Sequence, residues 1–212
     1  PLDFDLNQTV RTVAAIIEPQ CEEKNLHWRL DGPGDLPLPV HGDEFKLKQI
    51  LINLLSNAVK FTESGSILLK WAAEKPNHYR FEVIDTGQGI PADMRNRIFE
   101  PFQQAGNNEK REGTGLGLAI TRKQIELMNG SLALTSAIGE GSQFIFTVRL
   151  TPAIGKIVPK LLLGSQVSRL ANGQLVKALV ADDDITNRNV LSEILESVGV
   201  ETFVAENGSS AV

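Results

Sequence analysis

Cysteine is nearly absent: Cys21 stands alone among 212 residues, which excludes an internal disulfide framework and any zinc site built on cysteine. No apolar run approaches the ~20 residues needed to cross a bilayer, so no membrane-spanning helix is predicted. Positive charge is not in excess. The 21 Lys and Arg stand against 26 Asp and Glu, a net charge of −5 that argues against nonspecific nucleic-acid binding. The opening Pro1-Leu2-Asp3-Phe4-Asp5 carries neither an initiator Met nor the pattern of a signal peptide. The expectation is a soluble, excised piece of a longer protein from a reducing compartment. Hydrophobic residues make up 42% and charged residues 22%, near the globular average, so neither wholesale disorder nor a coiled coil fits. A chain of this length holds one or two domains and buries a core without covalent staples.

Charge is uneven along the chain. Residues 1–150 carry 19 acidic and 16 basic side chains, 151–176 three basic and none acidic, and 177–212 seven acidic and two basic. The middle stretch holds Pro152, Gly155, Pro159, Gly164 and Gly173 without a clean period. This predicts a linker over 152–176 between a domain at 1–151 and a remainder at 177–212. Val10, Val13, Ala14 and Ile17 recur at i, i+3, i+4, i+7 and predict an amphipathic helix over 7–24, distorted at Pro19. Asp43 is the expected N-cap of a second helix running to about Lys60 that buries Leu47, Ile50, Leu51, Leu54, Leu55 and Ala58. Strands are expected over 66–73 and 78–85, then a third helix over 116–129 with Gly130 as its C′ residue. Two closing strands, 131–136 and 143–150, flank Gly139-Glu140-Gly141. His27 and Trp28 fall in a further strand, and His41 in a loop before Asp43. Helices segregated from a mixed, mostly antiparallel sheet predict a two-layer α/β sandwich with the helices on one face.

Four segments carry candidate chemistry. On the second helix Gln49, Asn53 and Asn57 recur at i, i+4, i+8, with Lys60 three beyond, so they share one stripe beside the apolar one. Amide oxygens in line with an amine suit a polar pocket that ligates Mg²⁺ and meets phosphate, although an ordinary solvated face reads the same way. Asp85-Thr86-Gly87-Gln88-Gly89-Ile90 ends an apolar strand. A carboxylate there accepts from an exocyclic amine while the glycines admit the ligand edge; a plain turn is the simpler alternative. Ile98-Phe99-Glu100-Pro101-Phe102 reads alone as an aromatic core anchor, and the polar residues 103–112 after it have the size of a lid, with Lys110 and Arg111 in reach of a phosphate. Gly113-Thr114-Gly115-Leu116-Gly117-Leu118 opens the third helix, where free amides form an anion site, or else a glycine-rich hinge. It is neither a Rossmann fingerprint nor a P-loop.

The joint order of these segments over roughly 65 residues resembles the catalytic ATP-binding domain of sensor histidine kinases, in the GHKL superfamily. The matching stretches are Gln49–Phe61 (N box), Asp85–Gly89 (G1 box), Phe99–Phe102 (F box) and Gly113–Leu118 (G2 box). The resemblance implies a GHKL ATPase fold and ATP with Mg²⁺ as cofactors. It gives Asn57, with Asn53 as second amide, to the metal, and Asp85 to the adenine amine. Gly87, Gly89, Ile90 and Phe102 would surround the base. Gly113, Thr114, Gly115, Leu116, Gly117 and Leu118 would shape the lid hinge and phosphate contact, with Lys60 and Arg111 as phosphate-facing cations. Asn53, Asn57 and Lys60 are the residues expected to carry catalysis.

Related hydrolases place a Glu four residues before the metal-binding Asn, as general base for water. Here that position is Asn53, which takes no proton, favouring phosphoryl transfer over hydrolysis. A hydrolase switch and a non-catalytic nucleotide-sensing module are the alternatives. Neither His27, His41 nor His78 has the context of a phosphoacceptor, so the acceptor His is expected upstream, in the dimerisation domain of a homodimeric, membrane-anchored parent whose catalytic part is cytoplasmic. The fragment alone is then expected to bind ATP without autophosphorylating. Leu179–Arg188 resembles the first strand and acidic cluster of a response-regulator receiver, which implies a metal role for Asp182 and Asp183 and a relay onward to a regulator or phosphotransfer protein. Residues 177–212 would be an incomplete flavodoxin-like piece, too short to fold alone and expected to be disordered or docked.

Overall fold

The computed structural model describes residues 1–34, 36–102, 115–155 and 176–182, together with 185, 188, 191, 192, 195, 196 and 199–207. Arg111, Gly113, Thr114 and Asp183 lie outside the described residues. The chain divides into two compact units, Pro1–Val158 and Pro159–Val212, so the break falls inside the stretch read as linker. The first unit runs β1 (Leu2–Asp5), α1 (Leu6–Glu23), β2 (His27–Asp31), β3 (Pro39–Gly42), α2 (Glu44–Phe61), β4 (Ser66–Lys75), β5 (His78–Asp85), a 3-10 turn (Arg97–Phe99), α3 (Gly117–Leu127), β6 (Ser131–Ala137), β7 (Gly141–Arg149) and β8 (Thr151–Pro152).

The helix starts follow from their caps. An oxygen of the Asp5 carboxylate accepts from the Gln8 amide at 3.3 Å and from the Leu38 amide at 3.1 Å, which opens α1 and holds the loop before β3 against it. The Asp43 carboxylate accepts from the Lys46 amide at 3.0 Å, a cap worth about 1 kcal/mol to α2. At the far end of α2 the Lys24 ammonium donates to the Val59 and Lys60 carbonyls at 2.8 and 3.2 Å, where a helix leaves acceptors free. The six residues predicted to face inward on α2 are all buried. α1 is continuous through Pro19, because one missing N–H late in the helix forfeits one ladder bond while Val13, Ile17 and Cys21 stay buried. α3 ends on Asn129 rather than Gly130: Asn129 takes the left-handed φ of +53°. Gly130 is demanded by space, since a Cβ there would stand 1.8 Å from the Thr147 carbonyl oxygen.

The main sheet has the order β2-β4-β5-β7-β6, parallel between β2 and β4 and antiparallel elsewhere. All three helices pack against its strands. The face they cover is built in ranks, since alternate residues of a strand share a face. Trp71, Phe81, Phe146 and Leu132 are direct cross-strand neighbours, as are Leu69, Val83, Phe144 and Leu134. Rings stack along the first rank, Trp71 on Phe81 at 5.9 Å and Phe81 on Phe146 at 4.9 Å. The next rank is Ile67, Asp85, Ser142 and Ser136, and there the face turns polar.

A second sheet, β1-β3-β8, is absent from the sequence-based expectation. It places His41 in β3 rather than in a loop, where its Nδ1 lies 2.7 Å from the Asp3 carboxylate. The other Asp3 oxygen accepts from the Ile154 and Gly155 amides at 3.1 and 2.7 Å. These bonds hold the Asp3 carboxyl below its ordinary range, the His41 contact contributing most.

In the second unit β9 (Lys177–Ala181) pairs in parallel with β10 (Glu201–Ala205), and the described residues between 185 and 196 are helical. Where disorder or docking is expected from the sequence, this pairing gives the described part of the tail regular structure of its own.

Candidate functional site

Strand β5 ends by bringing Asp85 into the buried polar rank, where it is 6% exposed. One carboxylate oxygen, Oδ1, accepts from the Gly87 amide at 2.9 Å and from the Ser142 amide at 3.2 Å. Burial raises the carboxyl above its ordinary value, and the two amide bonds oppose that rise. Among the described residues both bonds to this side chain fall on Oδ1 and neither on its second oxygen.

The loop beyond Asp85 is clasped by the turn joining β6 to β7. The Gly139 amide donates to the Gln88 carbonyl at 2.8 Å. The Ile90 amide donates to the Ser136 hydroxyl at 2.8 Å, and that hydroxyl donates to the Gly141 carbonyl at 2.7 Å. Gly89 and Gly141 sit at φ of +72° and +83°, and a Cβ on either would approach backbone oxygen to 1.8 or 2.0 Å, at Ala137 and Asp85 respectively. Two glycines from separate segments thus allow loop and turn to lie against each other.

The loop also meets the end of α2, where the Gln88 amide donates to the Phe61 carbonyl at 3.3 Å, and the amide stripe lies on the same helix. Asn53 and Asn57 are half-buried, while Gln49 and Lys60 are exposed, the Lys60 ammonium lying 5.6 Å from the Phe61 ring centroid. Asn53 reaches α3: its amide donates to the Thr121 hydroxyl at 2.8 Å, and a Cβ on Gly117 would stand 2.5 Å from its Oδ1. Gln124 donates to Gln49 at 2.6 Å one turn away. The stripe therefore joins two helices. Among the described residues no side chain caps the first turn of α3, where Leu116 is at the N-cap position. Gly115 is left-handed at φ +68°, and its carbonyl accepts from the Phe102 amide at 3.0 Å. Leu116, Gly117 and Leu118 are half-buried.

The aromatic segment divides in two. Phe99 meets Phe144 edge-on at 6.4 Å, with the Arg122 guanidinium 5.9 Å from its centroid, and is an anchor. Phe102 is 75% exposed with φ +64° and is not part of the core. Two shallow pockets of about 220 and 210 Å³ lie along α3 and β6 around Arg122, and none of the amide stripe or of Asp85–Gly89 lines them. Among the described residues no group of three or more His, Cys, Asp or Glu is placed to hold a metal ion. Asp182 follows β9 directly; its carbonyl accepts from Arg188 at 2.7 Å and its amide donates to the Ala205 carbonyl at 3.3 Å.

Sequence reasoning misses Ser136 and Ser142. Both are buried beside Asp85, yet each is a small polar residue in a strand or turn, with no spacing to mark it. The available signal is register: counting back from the Gly139–Gly141 turn pairs Ser136 with Ser142, on the rank that ends in Asp85.

A family model described as histidine kinase-, DNA gyrase B-, and HSP90-like ATPase matches residues 42–152. The sensory/regulatory protein RpfC of Xanthomonas campestris is 36% identical over 238 residues, covering 99% of this chain and 33% of RpfC. The sensor histidine kinase RcsC of Escherichia coli is 40% identical over 162 residues, covering 76% of this chain and 17% of RcsC. The chain thus spans a third or less of these curated relatives. Among solved structures, full-length ShkA in complex with AMPPNP aligns with 99% of this chain and 41% of its own at TM-score 0.62 and 30% identity. The catalytic domain of histidine kinase ThkA aligns with 71% of this chain and 97% of its own at TM-score 0.60 and 31% identity. The chain belongs to the histidine kinase-, DNA gyrase B- and HSP90-like ATPase family, and within it to the ATP-binding kinase domains of sensor histidine kinases.

Proposed function

We propose that residues 1–151 form a catalytic domain that binds ATP with Mg²⁺ and transfers the γ-phosphoryl group to a histidine on the dimerisation domain of a longer, homodimeric parent. The single observation that carries this reading is Asp85, a buried carboxylate with one oxygen fixed by two backbone amides and the other left as an acceptor. Such a group recognises an exocyclic amine and rejects a carbonyl, which separates adenine from guanine. The ShkA complex with AMPPNP supports a nucleotide here.

The remaining residues fit that ligand. The backbone of Gly87 to Ile90 lies along the base, the first amides of α3 and the Lys60 ammonium meet phosphate, and Arg111 adds a cation. Asn57 and Asn53 offer amide oxygens to Mg²⁺; the bond to Thr121 uses the nitrogen side of the Asn53 amide and orients its oxygen. Bound Mg²⁺ supplies charge neutralisation between the phosphates, the main requirement of phosphoryl transfer. Asn53 holds no proton-accepting group for water, which favours transfer to a positioned acceptor over hydrolysis.

Residues 152–176 would act as linker, and 177–212 as the leading third of a receiver. The parallel pairing of β9 with β10, with Asp182 directly after β9, supports that assignment. So does the match of the whole chain to the hybrid signal transduction histidine kinase K of Dictyostelium discoideum, at 31% identity over 225 residues and 18% of that protein. Asp182 and Asp183 would then serve the receiver's metal, with relay onward to a regulator.

Calorimetric titration with Mg-ATP and Mg-GTP tests the reading. The expected result is ATP binding without GTP binding, lost in Asp85→Ala and weakened or made independent of Mg²⁺ in Asn57→Ala. A folded chain that binds no ATP overturns it.

A further inference from the structure

We propose that Ser136 is a positioning residue for nucleotide-base recognition, holding the Asp85 end of the site in the shape that discriminates between bases. The inference rests on the reading of Asp85 as the base-reading group. Its evidence is a hydrogen-bond hub that the four resembling boxes do not include. The Ser136 hydroxyl accepts from the Ile90 amide at 2.8 Å, donates to the Gly141 carbonyl at 2.7 Å and lies 3.1 Å from the Ser142 hydroxyl. A hydroxyl has one proton, and here the carbonyl takes it; the Ser142 hydroxyl is therefore the donor in the remaining contact. Ser136 thus makes one donated and two accepted bonds in a site where it is buried, which fixes its rotamer and proton.

The three partners are the parts that shape the base end. Ile90 closes the loop that begins at Asp85. Gly141 lies against the Asp85 backbone. Ser142 is the direct cross-strand neighbour of Asp85, and its amide donates to Oδ1 at 3.2 Å. Removing the hydroxyl takes a bond from the Ile90 amide, the Gly141 carbonyl and the Ser142 hydroxyl at once in a buried site, which favours movement that restores them. The segments free to move are the loop 86–90 and the turn 137–141, which frame Asp85. A buried serine that served only to fill space would have no reason to bridge these two segments.

The test uses the full chain, titrated with Mg-ATP and Mg-GTP well below its melting temperature. Ser136→Ala is expected to weaken ATP binding about tenfold, equivalent to one buried hydrogen bond, and to narrow the preference for ATP over GTP. Ser136→Thr, which keeps the hydroxyl, is expected to restore both. Amide exchange at Ile90 is expected to quicken in Ser136→Ala while that of Phe81 and Phe146 stays unchanged. Should the alanine variant not fold, Ser136→Cys keeps the bulk, replaces the hydroxyl by a weak donor, and carries the same expectation. Unchanged ATP affinity and base preference in a folded variant overturns the inference, as does an equal loss for both nucleotides accompanied only by a lower melting temperature. A native chain that binds no ATP is a distinct outcome, seen before any substitution, and it removes the reading of Asp85 and this inference together.

Discussion

The two ends of one sheet face obey different rules. At one end Trp71, Phe81 and Phe146 stack ring on ring, and Leu69, Val83 and Phe144 follow, all buried and apolar. At the other end, two residues further along each strand, Asp85, Ser142 and Ser136 occupy equally buried positions and are polar. The first end lowers free energy by removing apolar area from water, which is non-directional and tolerant of small shifts. The second end depends on hydrogen bonds among its polar atoms, which are directional and intolerant of displacement. A scaffold and the proposed recognition site are therefore built on the same strands, divided by a single step of the pleat.

The sharpest way to break the comparison is at its apolar end. Phe81→Ala removes the ring between Trp71 and Phe146 and is expected to cost about 3–5 kcal/mol, measured as a shift in the urea midpoint. ATP affinity of the molecules that remain folded should change little. At the polar end, Gly141→Ala forces a side chain into a left-handed residue against the Asp85 backbone. A loss of about 1–3 kcal/mol is expected, and here nucleotide binding should fall with it. Thr121→Val deletes the acceptor of the Asn53 amide between α2 and α3; the expected loss is about 0.5–1.5 kcal/mol, with weaker Mg²⁺ dependence of ATP binding as the functional readout.

The smallest effect is a pH slope. Burial raises the Asp85 carboxyl above its ordinary value, so the folded state holds that proton more tightly than the unfolded chain. The contribution of this group to stability therefore improves as pH falls through the raised folded value, and its penalty is complete above that value. Asp85→Asn should flatten this component in the difference between the two unfolding curves. ATP affinity of the native chain should decline over the same interval, because a protonated carboxyl is a poorer acceptor.

How much of this is legible in the sequence depends on the period of each element. α2 reads cleanly because its apolar stripe repeats over 18 residues and Asp43 marks its start. β5 and the Asp85–Gly89 loop read well because an apolar strand meets a carboxylate and two glycines. The β1-β3-β8 sheet does not: its strands are 4, 4 and 2 residues long, too short to show a period, and Pro39 and Pro152 argue locally against strand. After α3 the left-handed position falls to Asn129 and not to Gly130, two adjacent residues both suited to it, so local composition does not choose between them. Ser136 is invisible locally because its meaning lies in strand register, a property of the assembled sheet.

The small sheet also decides how force passes through the first unit. Leu2–Asp5 and Thr151–Pro152 pair with the same short strand, Pro39–Gly42, and Asp3 binds both His41 and the amides just past β8. A pull applied between the two ends of this unit is thus carried by three short strands lying side by side. Strands β4, β5, β7 and β6, which bear Asp85 and Ser136, stand outside that load path.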